Sequence, residues 1–117
     1  MPSDQLSITT ESLPEKRIVL FRLSGHLDAH SFEQLQEVLT ATFEKGRHNI
    51  LLDMSDVPYM SSAGAGVLIG ALAESERLGG KLVLMNLKPS VRNVFNMLGI
   101  AEIFSLVDDR QAGIAAF

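Results

Sequence analysis

Two adjacent hydroxyls, Ser61 and Ser62, are the side chains whose type and position best suit chemistry. They follow an apolar run, Ile50-Leu51-Leu52, and a turn signalled by Ser55-Asp56 and Pro58. A run of small residues, Ala63-Gly64-Ala65-Gly66, comes next. That order reads as a buried strand, a short loop and the start of a helix, where several backbone N–H groups lack partners and the dipole is positive. Serine is a favoured N-cap, and on residue type alone one of the pair is expected to cap. The functional alternative is phosphorylation, which adds about 1.5 to 2 negative charges at neutral pH. A helix N-terminus tolerates that charge, whereas an acidic or apolar partner surface does not. Val57, Pro58, Tyr59 and Met60 are apolar for a loop, and any left exposed form a small docking patch.

Asp28 is the next candidate. It can cap a helix, as can Ser31. In a parallel sheet, however, the loops after the second and third strands emerge at one end, which brings Asp28 toward Ser61 and Ser62.

Other chemistries fail on spacing. His26 and His30 are four apart but lack the acidic residue of a metalloprotease motif, and His48 stands alone, so no metal site is expected. No Gly-x-Ser-x-Gly surrounds the serines, and no catalytic residue is expected. Gly64, Gly66 and Gly70 are spaced G-x-G-x-x-x-G, one residue too long for a dinucleotide fingerprint, and Asn86 ends the next strand where that motif needs an acid. No cofactor is therefore expected. The simpler expectation is that Ala63, Gly64, Ala65, Gly66 and Gly70 let the helix pack close to the sheet.

The elements that must position these groups follow from periodicity. Residues 5–12 alternate as an edge strand, residues 13–16 turn, and residues 17–23 form a second strand, giving a hairpin. Phe32, Leu35, Leu39 and Phe43 mark the buried stripe of a helix over residues 32–45, stopped by Gly46. A helix from Gly64 carries Val67, Leu68, Ala71, Leu72 and Leu78 and ends at Gly79-Gly80. Residues 81–85 are a strand, and Pro89 opens a helix with Val91, Val94, Phe95 and Leu98 on one face. Residues 103–107 make a short fifth strand, and Asp108 or Asp109 caps a last helix through Ala116. This is an α/β fold of four to five strands, mostly parallel, with an antiparallel N-terminal edge hairpin and about four helices.

Composition bounds the rest. At 117 residues the chain, residues 1–117, is one domain. The absence of cysteine excludes disulfides and thiolate chemistry. Lys and Arg number 10 against 14 Asp and Glu, a net charge of -4 that argues against nucleic acid and anionic membranes as partners. No apolar run approaches the roughly 20 residues of a membrane helix. The first five residues lack the basic start and apolar core of a signal peptide, so a cytoplasmic location without direct membrane insertion is expected.

The pattern resembles the STAS domain, in particular the bacterial anti-sigma factor antagonists, over nearly the whole chain. Arg22-Leu23-Ser24-Gly25-His26-Leu27-Asp28-Ala29 is similar to the family's "L-x-G-x-L-D". Residues 50–70 are similar to "hydrophobic-D-h-S-x-V-x-[FY]-h-D-S-[ST]-G-h-G-h-L", and Gly79-Gly80-Lys81-Leu82, Lys88-Pro89-Ser90-Val91-Arg92 and Met97-Leu98-Gly99-Ile100 to its later segments. The resemblance implies a non-enzymatic partner switch. Unmodified, such a protein binds an anti-sigma factor that is also a serine kinase and frees a sigma factor; phosphorylated, it lets go, and a phosphatase resets it. The implied docking face holds Asp28, Tyr59, Met60, Ser61, Ser62, Ala63 and Gly64. The chain departs from the motif at one place: Ser61 stands at the family's Asp and Ala63 at its usual phosphoacceptor. Ala accepts no phosphate, so the acceptor expected here is Ser62, with Ser61 the other candidate. The alternative is a STAS subunit of a membrane transport or stress-signalling assembly that does without the phospho-switch.

Overall fold

The computed structural model describes residues 5–117; of the first five residues, on which the leader expectation rests, 1–4 lie outside them. Among the described residues there are five strands and four α-helices: β1 (Ser7–Leu13), β2 (Ile18–Ser24), α1 (Phe32–Glu44), β3 (Asn49–Asp56), α2 (Ser62–Arg77), β4 (Lys81–Met85), α3 (Pro89–Met97), β5 (Ser105–Val107) and α4 (Arg110–Ala115). One sheet holds them in the order β1-β2-β3-β4-β5, with β1 antiparallel to β2 and every other pair parallel. The strands after the hairpin point one way, so the loops leaving β2, β3 and β4 share one edge of the molecule.

Alternation along the strands sorts the core into two layers. Val19, Phe21, Leu23, Ile50, Leu52, Leu82 and Leu84 meet Leu35, Leu39, Leu68, Val91 and Phe95 from α1, α2 and α3. On the other face Ile18, Leu20, Leu51, Val83 and Met85 form a smaller cluster against Ile114 of α4. Residues on β2, β3 and β4 are thus buried on both sides, which is why these strands read as near-continuous apolar runs.

The structure departs from the expectations at several points. β3 continues through Ser55 and Asp56, because Ser24 pairs with Asp56 past an irregularity in the β2–β3 register and Met54 is buried there. α2 begins at Ser62, two residues before Gly64. Leu98 is exposed rather than on the buried stripe of α3, beside an almost fully exposed Met97. Ile103 lies in a 3-10 turn (Ala101–Ile103) before β5 and is also exposed. Asp109 is the cap of α4, accepting from the Ala112 N–H at 2.7 Å. Gly66 and Gly70 do not let α2 approach the sheet: a Cβ built on either meets nothing within 4 Å. Each interior glycine costs a helix about 1 kcal/mol relative to Ala, and nothing inside the fold requires these two.

The short α4 is tied to the sheet by polar contacts. Glu11 on β1 accepts from Arg110 at 2.8 Å and from Arg22 at 3.1 Å, while Lys16 Nζ and Lys81 Nζ donate to the Ile114 and Ala116 carbonyls. The Arg110 guanidinium, joined by Arg22, holds the Glu11 carboxyl below its ordinary 4.5 and outweighs desolvation. A depressed carboxylate stabilises the fold at neutral pH and loses that contribution as the pH falls from about 4.5 through the lower folded value. The pair is exposed, so the effect is small. Glu11→Gln is expected to lower stability to urea at pH 7, by a margin that shrinks as the pH is taken down below about 4.5.

Candidate partner-binding site

At the shared edge the β2–α1 and β3–α2 loops are joined backbone to backbone. The Leu27 N–H donates to the Tyr59 carbonyl at 3.0 Å, and the Ser61 N–H donates to the Leu27 carbonyl at 3.0 Å, making a parallel bridge between Leu27 and Met60. Gly25 N–H adds a bond to the Asp56 carbonyl at 3.0 Å. Leu27 is fully buried at this seam. Gly64 packs against it so tightly that a Cβ would sit 2.6 Å from the Leu27 carbonyl oxygen and 2.7 Å from its Cγ. Of the small residues expected to pack against the sheet, Ala65 is buried in the main core, while Gly64 makes its close approach to this loop.

Asp28 follows Leu27 and is half-buried. Its Oδ1 accepts from the His30 N–H at 2.9 Å, and its carbonyl accepts from the Ser31 and Phe32 N–H groups. Ser31 Oγ donates to the His26 carbonyl at 2.7 Å and accepts from the Asp28 N–H at 3.0 Å. Neither side chain caps α1 as expected; both are spent bracing the loop, which holds the Asp28 carboxylate beside the seam.

The two serines part company. Ser62 is the first residue of α2 and is exposed. Ser61 occupies the N-cap position with extended backbone, yet its side chain makes no cap bond, and its Oγ is buried without a partner. The expectation that one serine caps the helix is overturned, because the Ser61 backbone is committed to Leu27 and its hydroxyl falls inside the seam. A Ser-to-Ala change at a true N-cap costs about 1 kcal/mol, whereas deleting an unsatisfied buried hydroxyl removes a desolvation penalty of about 1–3 kcal/mol. Ser61→Ala is therefore expected to leave stability unchanged or raise it, measured by urea unfolding; a loss of 1 kcal/mol would restore the cap.

Of the apolar loop residues, Val57 and Met60 are buried, and Pro58 and Tyr59 are exposed. Met60 and Gly64, expected on the docking face, lie beneath it, and Ala63 is half-buried. The Tyr59 ring, 49% exposed, lies 5.4 Å from the His26 ring at a tilt of 58°. Ser90 Oγ at the start of α3 donates to the Pro58 carbonyl at 2.9 Å and steadies the loop from the far side. Of the residues expected on the docking face, Tyr59 and Ser62 are exposed and Asp28 is so in part, with Pro58, Ala29, His30 and Asp56 exposed around them. His26, Leu27 and Ser90 were not picked out as site residues, since their contacts are long-range and leave no local mark beyond Leu27's apolar type. Among the described residues no group of three His, Cys, Asp or Glu side chains could hold a metal ion, and no helix is long and apolar enough to cross a membrane.

The fold is that of a known class: the STAS domain family model matches residues 11–113, and the chain belongs to that family. Among its relatives is BtrV of Bordetella bronchiseptica, which bears an anti-sigma factor antagonist's name and is 38% identical over 81% of this chain and 82% of its own length. The anti-sigma F factor antagonist of Lysinibacillus sphaericus is 30% identical over 83% of this chain and 84% of its own. The structure of the anti-sigma factor antagonist SpoIIAA, from Bacillus, in its unphosphorylated form matches with a TM-score of 0.78 and 28% identity, covering 94% of this chain and 95% of that one. The same protein is also known in a phosphorylated form. These relatives are regulators that antagonise anti-sigma factors, and they do not favour the transport alternative.

Proposed function

We propose that this chain is a non-enzymatic anti-sigma factor antagonist acting in the cytoplasm. It binds an anti-sigma factor that is also a serine kinase, and so frees a sigma factor. The contact face is built from Asp28, Tyr59, Ser62 and Ala63, with Met60, Ser61 and Gly64 supporting it from below. Phosphate on Ser62 ends the contact, and a phosphatase restores it.

One observation carries this reading: an exposed hydroxyl opens α2 directly beside the braced Asp28 loop. A phosphate there meets the free N–H groups of the helix start, so the fold accepts it. The partner surface, formed to receive a neutral serine, does not. Ser62 also answers the missing acceptor at Ala63. The two positions differ by about 100° around the helix, from 3.6 residues per turn, so the cognate kinase must present its active site from a correspondingly shifted direction.

The test is incubation with the candidate kinase and ATP, followed by mass spectrometry. Phosphate on Ser62, abolished by Ser62→Ala, is the expected result. Phosphate elsewhere, or none under conditions that label a related antagonist, sinks the acceptor assignment.

A further inference from the structure

We infer that the face shared by α1 and α2 is a docking groove for a basic amphipathic helix of the protein partner, with Gly66 and Gly70 as its point of closest approach. Between the two helices runs a cleft of about 220 Å³ floored by Leu39, Phe43, Val67 and Ala71 and edged by Gly66 and Gly70. The two glycines are exposed, lie one turn apart, and leave open space where a Cβ would stand. α1 does not need them, nor does the sheet. They weaken the helix without an internal packing reason, and what they provide is a smooth surface on which another backbone can lie close. Helix axes approach nearest where the residues at the contact are smallest.

Charge states the chemistry of the occupant. α1 and α2 carry Glu33, Glu37, Glu44, Glu74 and Glu76 against the single cation Arg77, which is itself paired with Glu74 at 2.6 Å. These two helices thus hold a formal -4, the whole net charge of the chain, and the rest of the molecule is balanced. The exposed positions of α2 from Ser62 to Ala73, namely Ser62, Gly66, Ile69, Gly70 and Ala73, carry no charge at all. An uncharged stripe flanked on its α1 side by Glu33, Glu37 and Glu44, which stand beside the cleft residues Gln36 and Thr40, fits a helix that presents an apolar ridge flanked by Lys and Arg, the helix-in-groove mode of recognition. The stripe begins at Ser62, so a helix seated on it ends at the proposed acceptor.

The inference rests on reading this chain as a partner-binding antagonist, and the two fail separately. The probe is a synthetic 18-residue helical peptide with leucines on one face and lysines on the other, titrated into the full chain by calorimetry and amide NMR. A glutamate-for-lysine peptide is the control. Saturable binding with shifts centred on residues 36–43 and 66–74 is expected, weakening at least fivefold between 50 and 300 mM salt through screening. The paired change Gly66→Ala and Gly70→Ala is expected to raise the thermal midpoint while weakening the peptide at least fivefold. Opposite signs of this kind do not arise from a merely structural role. Gly66→Leu with Gly70→Leu is expected to abolish binding in a chain that still melts cooperatively. The groove is refuted if the control peptide binds equally well, if the shifts fall on Met97, Leu98 and Ile103, if neither peptide binds, or if the Leu pair binds as the parent does. An anti-sigma kinase bound with unchanged affinity by the Leu pair likewise refutes the groove, and leaves the proposed function standing.

Discussion

Ser62→Glu is expected to bind the anti-sigma kinase at least about tenfold more weakly than the parent, about 1.4 kcal/mol, with no loss of stability. The two halves of that result come from different neighbours of one side chain. Within the molecule, a carboxylate in the first turn of α2 faces free N–H groups and the positive end of the dipole, worth about 0.3–1 kcal/mol in favour of the fold. Toward the partner, it places a second negative charge beside the Asp28 carboxylate on a surface that must be desolvated when it docks. Calorimetry with the kinase and a thermal melt of the free variant measure the pair of effects. Ser62→Ala is the control: it keeps the neutral surface, binds, and resists release by ATP. A Ser62→Glu variant that binds like the parent would remove Ser62 from the contact.

Leu27→Ala is expected to cost about 2–5 kcal/mol of stability, the range for emptying a fully buried leucine site, and to weaken partner binding even where the variant is folded. Leu27 is where Tyr59, Ser61 and Gly64 converge. A cavity there loosens the contacts that set Asp28 against Ser62. Leu20→Ala, equally buried but on the α4 face of the sheet, away from both the seam and the α1–α2 cleft, separates the two consequences. It loses comparable stability in urea and keeps its affinity for the kinase at temperatures where both variants are native. Equal loss of affinity in the two would reduce Leu27 to an ordinary core residue.

What could be read in advance was whatever a short window encodes. The apolar runs of β3 and β4 announced a sheet buried on both faces, and Gly46 and Gly79 announced where α1 and α2 stop. That Asp28 lies near the serines followed from topology alone, since parallel strands send their loops to one edge. Which of two consecutive serines faces outward did not follow. That is decided by a hydrogen bond from Ser61 to Leu27, thirty-four residues earlier in the chain, and no local pattern records it. The continuation of β3 through Asp56 was hidden for the same reason: Ser55-Asp56 is turn chemistry by itself, and pairing with Ser24 overrides it. Gly66 and Gly70 looked like residues for internal packing, and only the open space around them shows otherwise.

The stitch between the two loops has a consequence for the kind of signal this molecule can send. Main-chain bonds on both sides of Leu27, a braced Asp28 turn and a helix seated on Gly64 leave no soft joint at this edge. A group added to Ser62 has nothing to bend. On the proposed function, the message of a phosphate on Ser62 is then written in surface potential rather than in the outline of the domain, and a protein that reads it does so by touching the mark itself.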